Sequence, residues 1–127
     1  MSHILVVDDS GSTRAVMREM LEAAKHHVVE AANGAEAVQF LVGEHGYEPS
    51  LIVLNLEMPT MSGWEFVRIV KSYHRLATIP LLVVSTHDPS GLPKGAIAGY
   101  IRKPFGRQQF LLGVQGCVRP PRQSSER

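Results

Sequence analysis

Residues 51–66 read LIVLNLEMPTMSGWEF. The first four form a continuous run of Leu, Ile and Val, which is typical of a parallel strand buried on both faces. Ser62 comes directly before Gly63, where a helical periodicity begins, and serine is a good residue to cap the first turn of a helix. This stretch therefore predicts a buried strand, a polar turn that begins at Asn55, and a helix.

The same alternation of strand and helix extends in both directions. Short apolar runs predict four further strands, at Ile4–Val7, Val28–Val29, Leu81–Val84 and Tyr100–Ile101. Apolar residues at helical spacing predict the helices; the stripes are Met17, Met20, Leu21 and Ala24, then Ala35, Val38, Leu41 and Val42, then Phe66, Ile69, Val70 and Tyr73, and finally Phe110, Leu111, Val114 and Cys117. Repeated strand–helix units with right-handed crossovers indicate a doubly wound α/β domain, with helices on both faces of a five-stranded parallel sheet.

The composition is that of one ordinary folded domain. The chain has 127 residues, of which 44% are hydrophobic and 20% charged, so it can bury a core without disulfides. We expect this domain to occupy residues 1–117. Residues 118–127, VRPPRQSSER, contain two prolines and two serines and lack apolar periodicity, which favours a flexible tail or the start of a linker.

Charge and cysteine content argue against several functional classes. A formal net charge of +1 gives no global reason to expect nucleic acid or a membrane surface as a partner. No apolar run approaches the roughly 18 residues needed to cross a bilayer. The single cysteine, Cys117, excludes an internal disulfide and suits a reducing compartment, so we expect a cytoplasmic protein.

Polar residues follow the predicted strands at their carboxyl ends, the edge where ligands bind in sheets of this kind. Adjacent carboxylates at Asp8 and Asp9 repel each other unless a cation offsets them. Their hard oxygen atoms suit Mg²⁺, and Lys103, which follows the last strand, is a second candidate for the counter-charge. Ser85 offers a hydroxyl group between the acidic pair and Lys103. The alternative for the acidic pair is structural, with Asp9 or Ser10 capping the helix that follows.

Three motifs occur in order at the predicted strand ends: LVVDDS at residues 5–10, LNLEMPTMSGWE at 54–65 and KPF at 103–105. In this combination they resemble the receiver domains of bacterial two-component response regulators, over nearly all of residues 3–117. The resemblance implies a flavodoxin-like strand order and a regulatory role without enzymatic activity. It also implies a histidine kinase or another signalling protein as the partner, and we expect a monomer or a weak homodimer.

The resemblance assigns the metal ligands and the acceptor position. Asp8 and Asp9 match the acidic pair that helps to bind Mg²⁺, and Glu57 matches the residue whose backbone carbonyl ligates the metal. Asn55 falls where the family has its phosphoryl-accepting aspartate.

Further positions are implied around the phosphoryl group. Ser85 matches the hydroxyl residue that senses the phosphoryl group, Tyr100 matches the aromatic switch residue, and Lys103 matches the lysine that contacts the phosphoryl oxygens. The family places a cis peptide at Lys103–Pro104. His87, two residues after Ser85, is expected to lie in a surface loop.

Asn55 is the first departure from the family pattern. Phosphoryl transfer needs an anionic carboxylate oxygen as the nucleophile, and a neutral amide has none. The change also removes one negative ligand, so we expect Mg²⁺ to bind weakly or not at all. It relieves repulsion among three clustered carboxylates, which favours the unliganded fold.

The second departure lies in residues 85–100, STHDPSGLPKGAIAGY, where the family places its fourth helix. Two prolines and three glycines oppose a helix, since proline costs about 3 kcal/mol inside one and glycine about 1 kcal/mol. We therefore predict a short or broken fourth helix, of at most a turn or two. Together with Asn55, this loss favours a natural pseudo-receiver that cannot be phosphorylated at residue 55.

Two alternatives remain open. The first is a conventional phospho-accepting receiver that carries an engineered Asp-to-Asn substitution at Asn55, in agreement with its intact acidic pair, Ser85, Tyr100 and Lys103. The second, more distant, is a flavodoxin-like protein that binds a cofactor. The acidic loop after the first strand argues against the second, because its carboxylates would repel a pyrophosphate.

Overall fold

A computed structural model describes residues 2–43 and 46–119 of the chain. Within them, five β-strands alternate with four α-helices and one short 3₁₀ helix. In chain order these are β1 His3–Val7, α1 Gly11–Ala23, β2 His27–Ala31, α2 Gly34–Val42, β3 Leu51–Leu54, α3 Gly63–Ser72, β4 Leu81–Ser85, the 3₁₀ helix Pro89–Gly91, β5 Gly99–Arg102 and α4 Arg107–Cys117. The five predicted strands are all present, with ends that differ by no more than two residues.

The five strands form one parallel sheet in the order β2-β1-β3-β4-β5. Val7 at the end of β1 pairs with Ala31 on β2 and with Leu54 on β3, so the carboxyl ends of these strands lie side by side. The prediction of a doubly wound sheet with flavodoxin-like order is confirmed. The strand order reverses between β1 and β3, and ligands of such sheets bind at that point.

Alternate residues of each strand face opposite sides of the sheet, and helices cover both sides. Leu5 and Val7 pack with α2 and α3, whereas Ile4 and Val6 pack with α1 and α4. Every residue of β3 and β4 is buried. Because the central strands are covered on both faces, they read in the sequence as continuous apolar runs.

The helical stripe predicted for α2 is partly confirmed, since Leu41 is fully buried and Val38 packs against the core. Ala35 and Val42 were placed in the core and are exposed, whereas Ala37 is fully buried. The first residue of α2, Gly34, packs against Met61 of the β3–α3 turn, where a Cβ would lie 2.8 Å from Sδ. Ala24 and Tyr73 are also exposed, because they lie just beyond the ends of α1 and α3.

The segment between β4 and β5 contains a single turn of 3₁₀ helix, Pro89–Gly91. The Asp88 carboxylate caps this turn by accepting the N–H of Ser90 over 2.7 Å. Leu92 and Ala96 pack on the core beside α3 in place of a longer helix. The prediction of a short or broken fourth helix is confirmed.

The chain beyond α4 remains in contact with the domain for two residues. Val118 packs on the core, and the N–H of Arg119 donates to the carbonyl of Ser50 over 3.1 Å. These two residues are therefore held in place, although the tail was predicted to begin at residue 118. Residues 120–127 lie outside the described residues, so a flexible tail there stays a prediction. Among the helices of the described ranges, none has the length and apolarity to span a bilayer.

Candidate functional site

The carboxyl ends of β1, β3 and β4 bring polar residues together at one edge of the sheet. Of the four buried polar residues within the described ranges, three lie here: Asp8 and Ser85 are fully buried, and Asn55 is 8% exposed. Asp9 is exposed, and Lys103 approaches from the end of β5. We call these five residues the strand-end pocket.

Asp8 lies at the base of the strand-end pocket, where the chain itself neutralises it. The Nζ of Lys103 lies 2.9 Å from Asp8 Oδ2, and the backbone N–H of Ser10 donates to Oδ1 over 2.9 Å. The guanidinium of Arg14 donates to the Asp8 carbonyl over 2.6 Å. Since the Asp8 side chain is only 1% exposed, Lys103 offsets a carboxylate that water cannot solvate.

Ser10, and not Asp9, caps the helix that follows the acidic pair. Its Oγ accepts the N–H of Thr13 over 3.2 Å at the start of α1. The capping alternative is thus correct for Ser10. Because Ser10 performs this role, both carboxylates are left to the strand-end pocket.

Asn55 is held in the pocket through its side-chain amide. The Nδ2 donates to the Asp9 carboxylate over 3.2 Å and to the backbone carbonyl of Glu57 over 2.9 Å. Both neighbours are acceptors, so the NH₂ group and not Oδ1 faces them. The backbone N–H of Asn55 donates to the carbonyl of Val7 over 3.0 Å, which fixes the residue at the end of β3.

Some of the oxygen atoms that the resemblance assigned to Mg²⁺ already accept hydrogen bonds or an ion pair from the chain. Asp8 pairs with Lys103, while Asp9 and the carbonyl of Glu57 accept hydrogen bonds from Asn55. A cation at this site would compete with the Asn55 amide and the Lys103 ammonium for these oxygen atoms. Within residues 2–43 and 46–119, no three His, Cys, Asp or Glu side chains are arranged to hold a metal ion. The expectation that Mg²⁺ binds weakly or not at all stays a prediction.

Gly63 holds the turn after β3 close to Asn55. A Cβ at Gly63 would lie 2.5 Å from the carbonyl oxygen of Asn55 and 2.5 Å from Leu56 Cα, so a larger residue does not fit. Ser62 caps α3 and forms a reciprocal capping box with Glu65, as its position in the sequence predicted. The close packing at the start of α3 thus fixes the backbone of Asn55.

Ser85 and Tyr100 meet on the β4 side of the pocket. The Oγ of Ser85 accepts the N–H of His87 over 3.1 Å. The carbonyl of Ser85 accepts the hydroxyl of Tyr100 over 3.3 Å and the N–H of Lys103 over 3.1 Å. The expected cis peptide at Lys103–Pro104 is present. The roles of sensor and switch remain predictions for these side chains.

Sequence reasoning missed two side chains at the border of the pocket. His87 lies exposed in the loop after β4, as expected, but its Nδ1 is also 3.5 Å from Glu57 Oε1. Its ring meets the indole of Trp64 edge-on, with centroids 6.1 Å apart. Arg14, which supports Asp8, was not considered. The one signal for either residue was its closeness in sequence to a predicted strand end.

The fold and the strand-end pocket define a receiver domain. Residues 4–115 match the family model described as the response regulator receiver domain. The chain therefore belongs to the response regulator receiver family and is a receiver module of two-component signal transduction.

Curated relatives cover most of this chain. It is 28% identical over 119 residues to the polar-differentiation response regulator DivK of Brucella anthropi, covering 91% of this chain and 94% of DivK. It is 30% identical over 122 residues to the sensor histidine kinase CheAY of Helicobacter pylori. That match covers 91% of this chain but only 15% of CheAY, so it concerns a small part of the kinase.

Solved structures with this fold include chemotaxis proteins and other response regulators. The chemotaxis response regulator CheY4 of Vibrio cholerae is 30% identical, with a TM-score of 0.78 over 91% of this chain and 97% of CheY4. The response regulator TrrA of Thermotoga maritima, solved in complex with Mg²⁺ and BeF, is 26% identical, with a TM-score of 0.78 over the same shares of the two chains.

Proposed function

We propose that this chain is a pseudo-receiver, a receiver module that acts through protein–protein contacts without forming an acyl phosphate at residue 55. The observation that carries the proposal is the bonding of the Asn55 amide, which donates to Asp9 and to the carbonyl of Glu57. These bonds complete the strand-end pocket without a cation or a phosphoryl group. In this proposal the module catalyses no reaction of its own.

The chemistry of the pocket supports the same conclusion. An acyl phosphate forms when a carboxylate oxygen attacks the donor, and Asn55 presents an amide. Mg²⁺ would bind weakly or not at all, because its proposed ligands already accept bonds from the chain. Lys103, the proposed contact for phosphoryl oxygens, is paired with Asp8. The acceptor carboxylate is thus absent, and the metal ligands and Lys103 already bond to other groups of the chain.

The partner we propose is a histidine kinase or another signalling protein. Support comes from the relatives, which include a sensor histidine kinase and a response regulator. A concave surface of about 490 Å³ beside the pocket offers apolar contact through Phe105 and Val16, which is 43% exposed. We also propose a cytoplasmic monomer or weak homodimer that binds neither nucleic acid nor membranes.

A second candidate is a conventional receiver with an engineered Asp-to-Asn change at residue 55. The Asp8–Lys103 pair favours it, because an aspartate in place of Asn55 would restore three carboxylates beside an intact lysine. The reduced fourth helix favours the natural pseudo-receiver instead, since a single designed substitution does not remove a helix. The flavodoxin-like cofactor protein has no support beyond the fold that the two families share.

Intact-mass measurements test the proposal. The natural chain and an Asn55→Asp variant are each incubated with Mg²⁺ and a small acyl-phosphate donor. Phosphorylation adds about 80 Da, and the group brings extra acidic oxygens. We expect no gain in mass for the natural chain.

The variant separates the two candidates. A gain by Asn55→Asp alone means that the pocket is competent and that Asn55 by itself prevents phosphorylation. A gain by neither protein means that the pocket departs from the family at more than one residue, which supports a natural pseudo-receiver. A gain by the natural chain would contradict the proposal.

A further inference from the structure

A groove runs between α3 and the segment that replaces a longer fourth helix. Six of its lining residues are Trp64, Val67, Arg68 and Lys71 on α3 and Leu92 and Pro93 on the segment. Its volume is about 150 Å³, and a cavity of that order accepts a benzene-sized group. We call it the α3 groove.

The α3 groove stays open because the 3₁₀ turn ends at Gly91. A longer helix between β4 and β5 would cover the side of α3 that carries Trp64 and Val67. The short turn is followed only by Leu92 and Pro93 there. Gly91 lies against the indole of Trp64, where a Cβ would be 3.1 Å from Nε1. Apolar side chains therefore contribute to both walls of the groove, with Val67 buried at the base and Trp64 half-buried.

The cations at the α3 groove have no partner of opposite charge. Arg68 and Lys71 line it, and Lys94 directly follows its last lining residue. Within the described residues, none of these three forms an ion pair, and no acidic residue lines the groove. Six other basic side chains do pair with carboxylates: Arg14, Arg18, Arg75, Lys103, Arg107 and Arg119. Of the five basic side chains that form no ion pair within the described chain, Arg68 and Lys71 therefore line the groove, and Lys94 follows it in sequence.

Lys71 shows the consequence of this missing counter-charge. Its ammonium is partly buried and donates to the backbone carbonyl of Ala77 over 3.0 Å. Burial lowers the pKa of Lys71, because removal from water disfavours the charged form. Two of its three donor hydrogens have no protein acceptor among the bonds described, and a bound carboxylate would satisfy them.

We propose that the α3 groove docks an acidic peptide segment of a partner protein. One apolar side chain of the segment enters between Trp64 and Leu92, and its carboxylates meet Arg68, Lys71 and Lys94. This inference rests on the proposed function, since it identifies a contact surface for the protein partner. Charge complementarity selects an acidic ligand, and the narrow apolar slot selects a peptide side chain.

Other anionic ligands fit the observations less well. Nucleic acid is bound through many phosphate contacts, and the chain carries a net charge of only +1. A membrane surface requires a broad apolar face, whereas this groove admits a single side chain. Both are nevertheless included as arms of the test.

The fluorescence of Trp64, the one tryptophan of the chain, reports binding directly. The probes are short synthetic peptides in which glutamates flank one leucine, phenylalanine or proline, and the same peptides with lysines in place of the glutamates. We expect the acidic peptides to change the fluorescence in a saturable manner and the basic peptides to have no effect. An Arg68→Glu/Lys94→Glu variant is expected to bind about tenfold more weakly or worse.

A Lys25→Glu/Arg102→Glu variant is the matched control. It has the same net charge, and neither of its substituted residues lines the groove or forms an ion pair in the described chain, so it should retain the affinity of the natural protein. The proposal is overturned if no acidic peptide binds, or if both double variants lose affinity equally. It is also overturned if an oligonucleotide or an anionic lipid vesicle binds more tightly than every peptide. These outcomes are independent of the mass measurement on Asn55→Asp, so failure of either proposal can be recognised separately.

Discussion

At the scale of single residues, each carboxylate of the strand-end pocket is bound by a side chain from a distant part of the sequence. Lys103 pairs with Asp8 from 95 positions away, and Asn55 donates to Asp9 from 46 positions away. The first bond joins two charges, whereas the second joins a charge to a neutral amide. Two side chains distant in sequence thus hold the pocket together, and its stability depends on these two contacts.

Substitution of Lys103 tests how far the domain depends on the first contact. Lys103→Met leaves a buried carboxylate at Asp8 without its counter-charge, so we expect the free energy of unfolding to fall by about 3–5 kcal/mol. Urea denaturation followed by circular dichroism measures the change. A double variant, Asp8→Asn/Lys103→Met, removes both charges and should recover much of the loss. Simple additivity of the two single substitutions would contradict the proposed pairing.

At the scale of elements, short-range polar contacts set where helices begin and how they meet the sheet. The Glu30 carboxylate of β2 accepts from Arg14 over 2.9 Å and from Arg18 over 2.5 Å, and so ties α1 to the edge strand. The capping box of Ser62 lies directly before α3, which begins at Gly63. Both contacts lie on elements next to the pocket, since α1 follows Asp8 and Asp9 and α3 follows the turn after Asn55.

The Glu30 contact predicts a pH dependence of stability. The hydrogen bond from Arg18 is the main cause that lowers the pKa of Glu30 below its ordinary value of 4.5, with help from Arg14 and against the opposing effect of burial. A lowered pKa in the folded state means that the stabilisation is complete above 4.5 and is lost as the pH falls through the lower, folded value. Denaturation of the natural chain and of Glu30→Gln from neutral to acidic pH measures it. We expect the difference between them to shrink as the pH falls; a constant difference would count against the ion pair.

The turn between β3 and α3 predicts unequal costs for two neighbouring substitutions. Ser62→Ala removes the cap and should lower the free energy of unfolding by about 1 kcal/mol. Gly63→Ala places a methyl group within 2.5 Å of backbone atoms of Asn55 and Leu56, and should cost about 3 kcal/mol because that backbone must move. Chemical denaturation compares the two variants. Equal costs would show that the close approach at Gly63 is readily relieved.

At the scale of the whole molecule, ligands that bind the folded state report on the pocket through global stability. Asn55 already bonds the proposed Mg²⁺ ligands, so millimolar Mg²⁺ should leave the thermal midpoint of the natural chain unchanged. In Asn55→Asp the third carboxylate should lower the midpoint without Mg²⁺, because like charges repel, and Mg²⁺ should raise it again by binding only the folded state. Asn55→Ala controls for the lost hydrogen bonds. An equal rise in all three proteins would contradict the account of Asn55.

The sequence by itself determined the order of elements and the identity of most pocket residues. The apolar run at Leu51–Leu54 and the polar residue after it are local patterns, and parallel connectivity brings such strand ends to one edge. The prolines and glycines of residues 85–100 likewise predicted the reduced fourth helix, because their backbone preferences act within a few residues. In each case the pattern of neighbouring residues was sufficient for the prediction.

Only the tertiary structure decided which of these groups bond to each other. The periodicity of α2 placed Ala35 and Val42 in the core, and only the packing shows that they are exposed and that Ala37 is buried. The contact of Asn55 with Asp9 depends on the register of β1 and β3, which no local pattern specifies. The α3 groove likewise arises from two segments distant in sequence, since it requires both Trp64 on α3 and the end of the 3₁₀ turn. Charge pairing, burial and grooves belong to the assembled chain because they depend on distances between residues far apart along it.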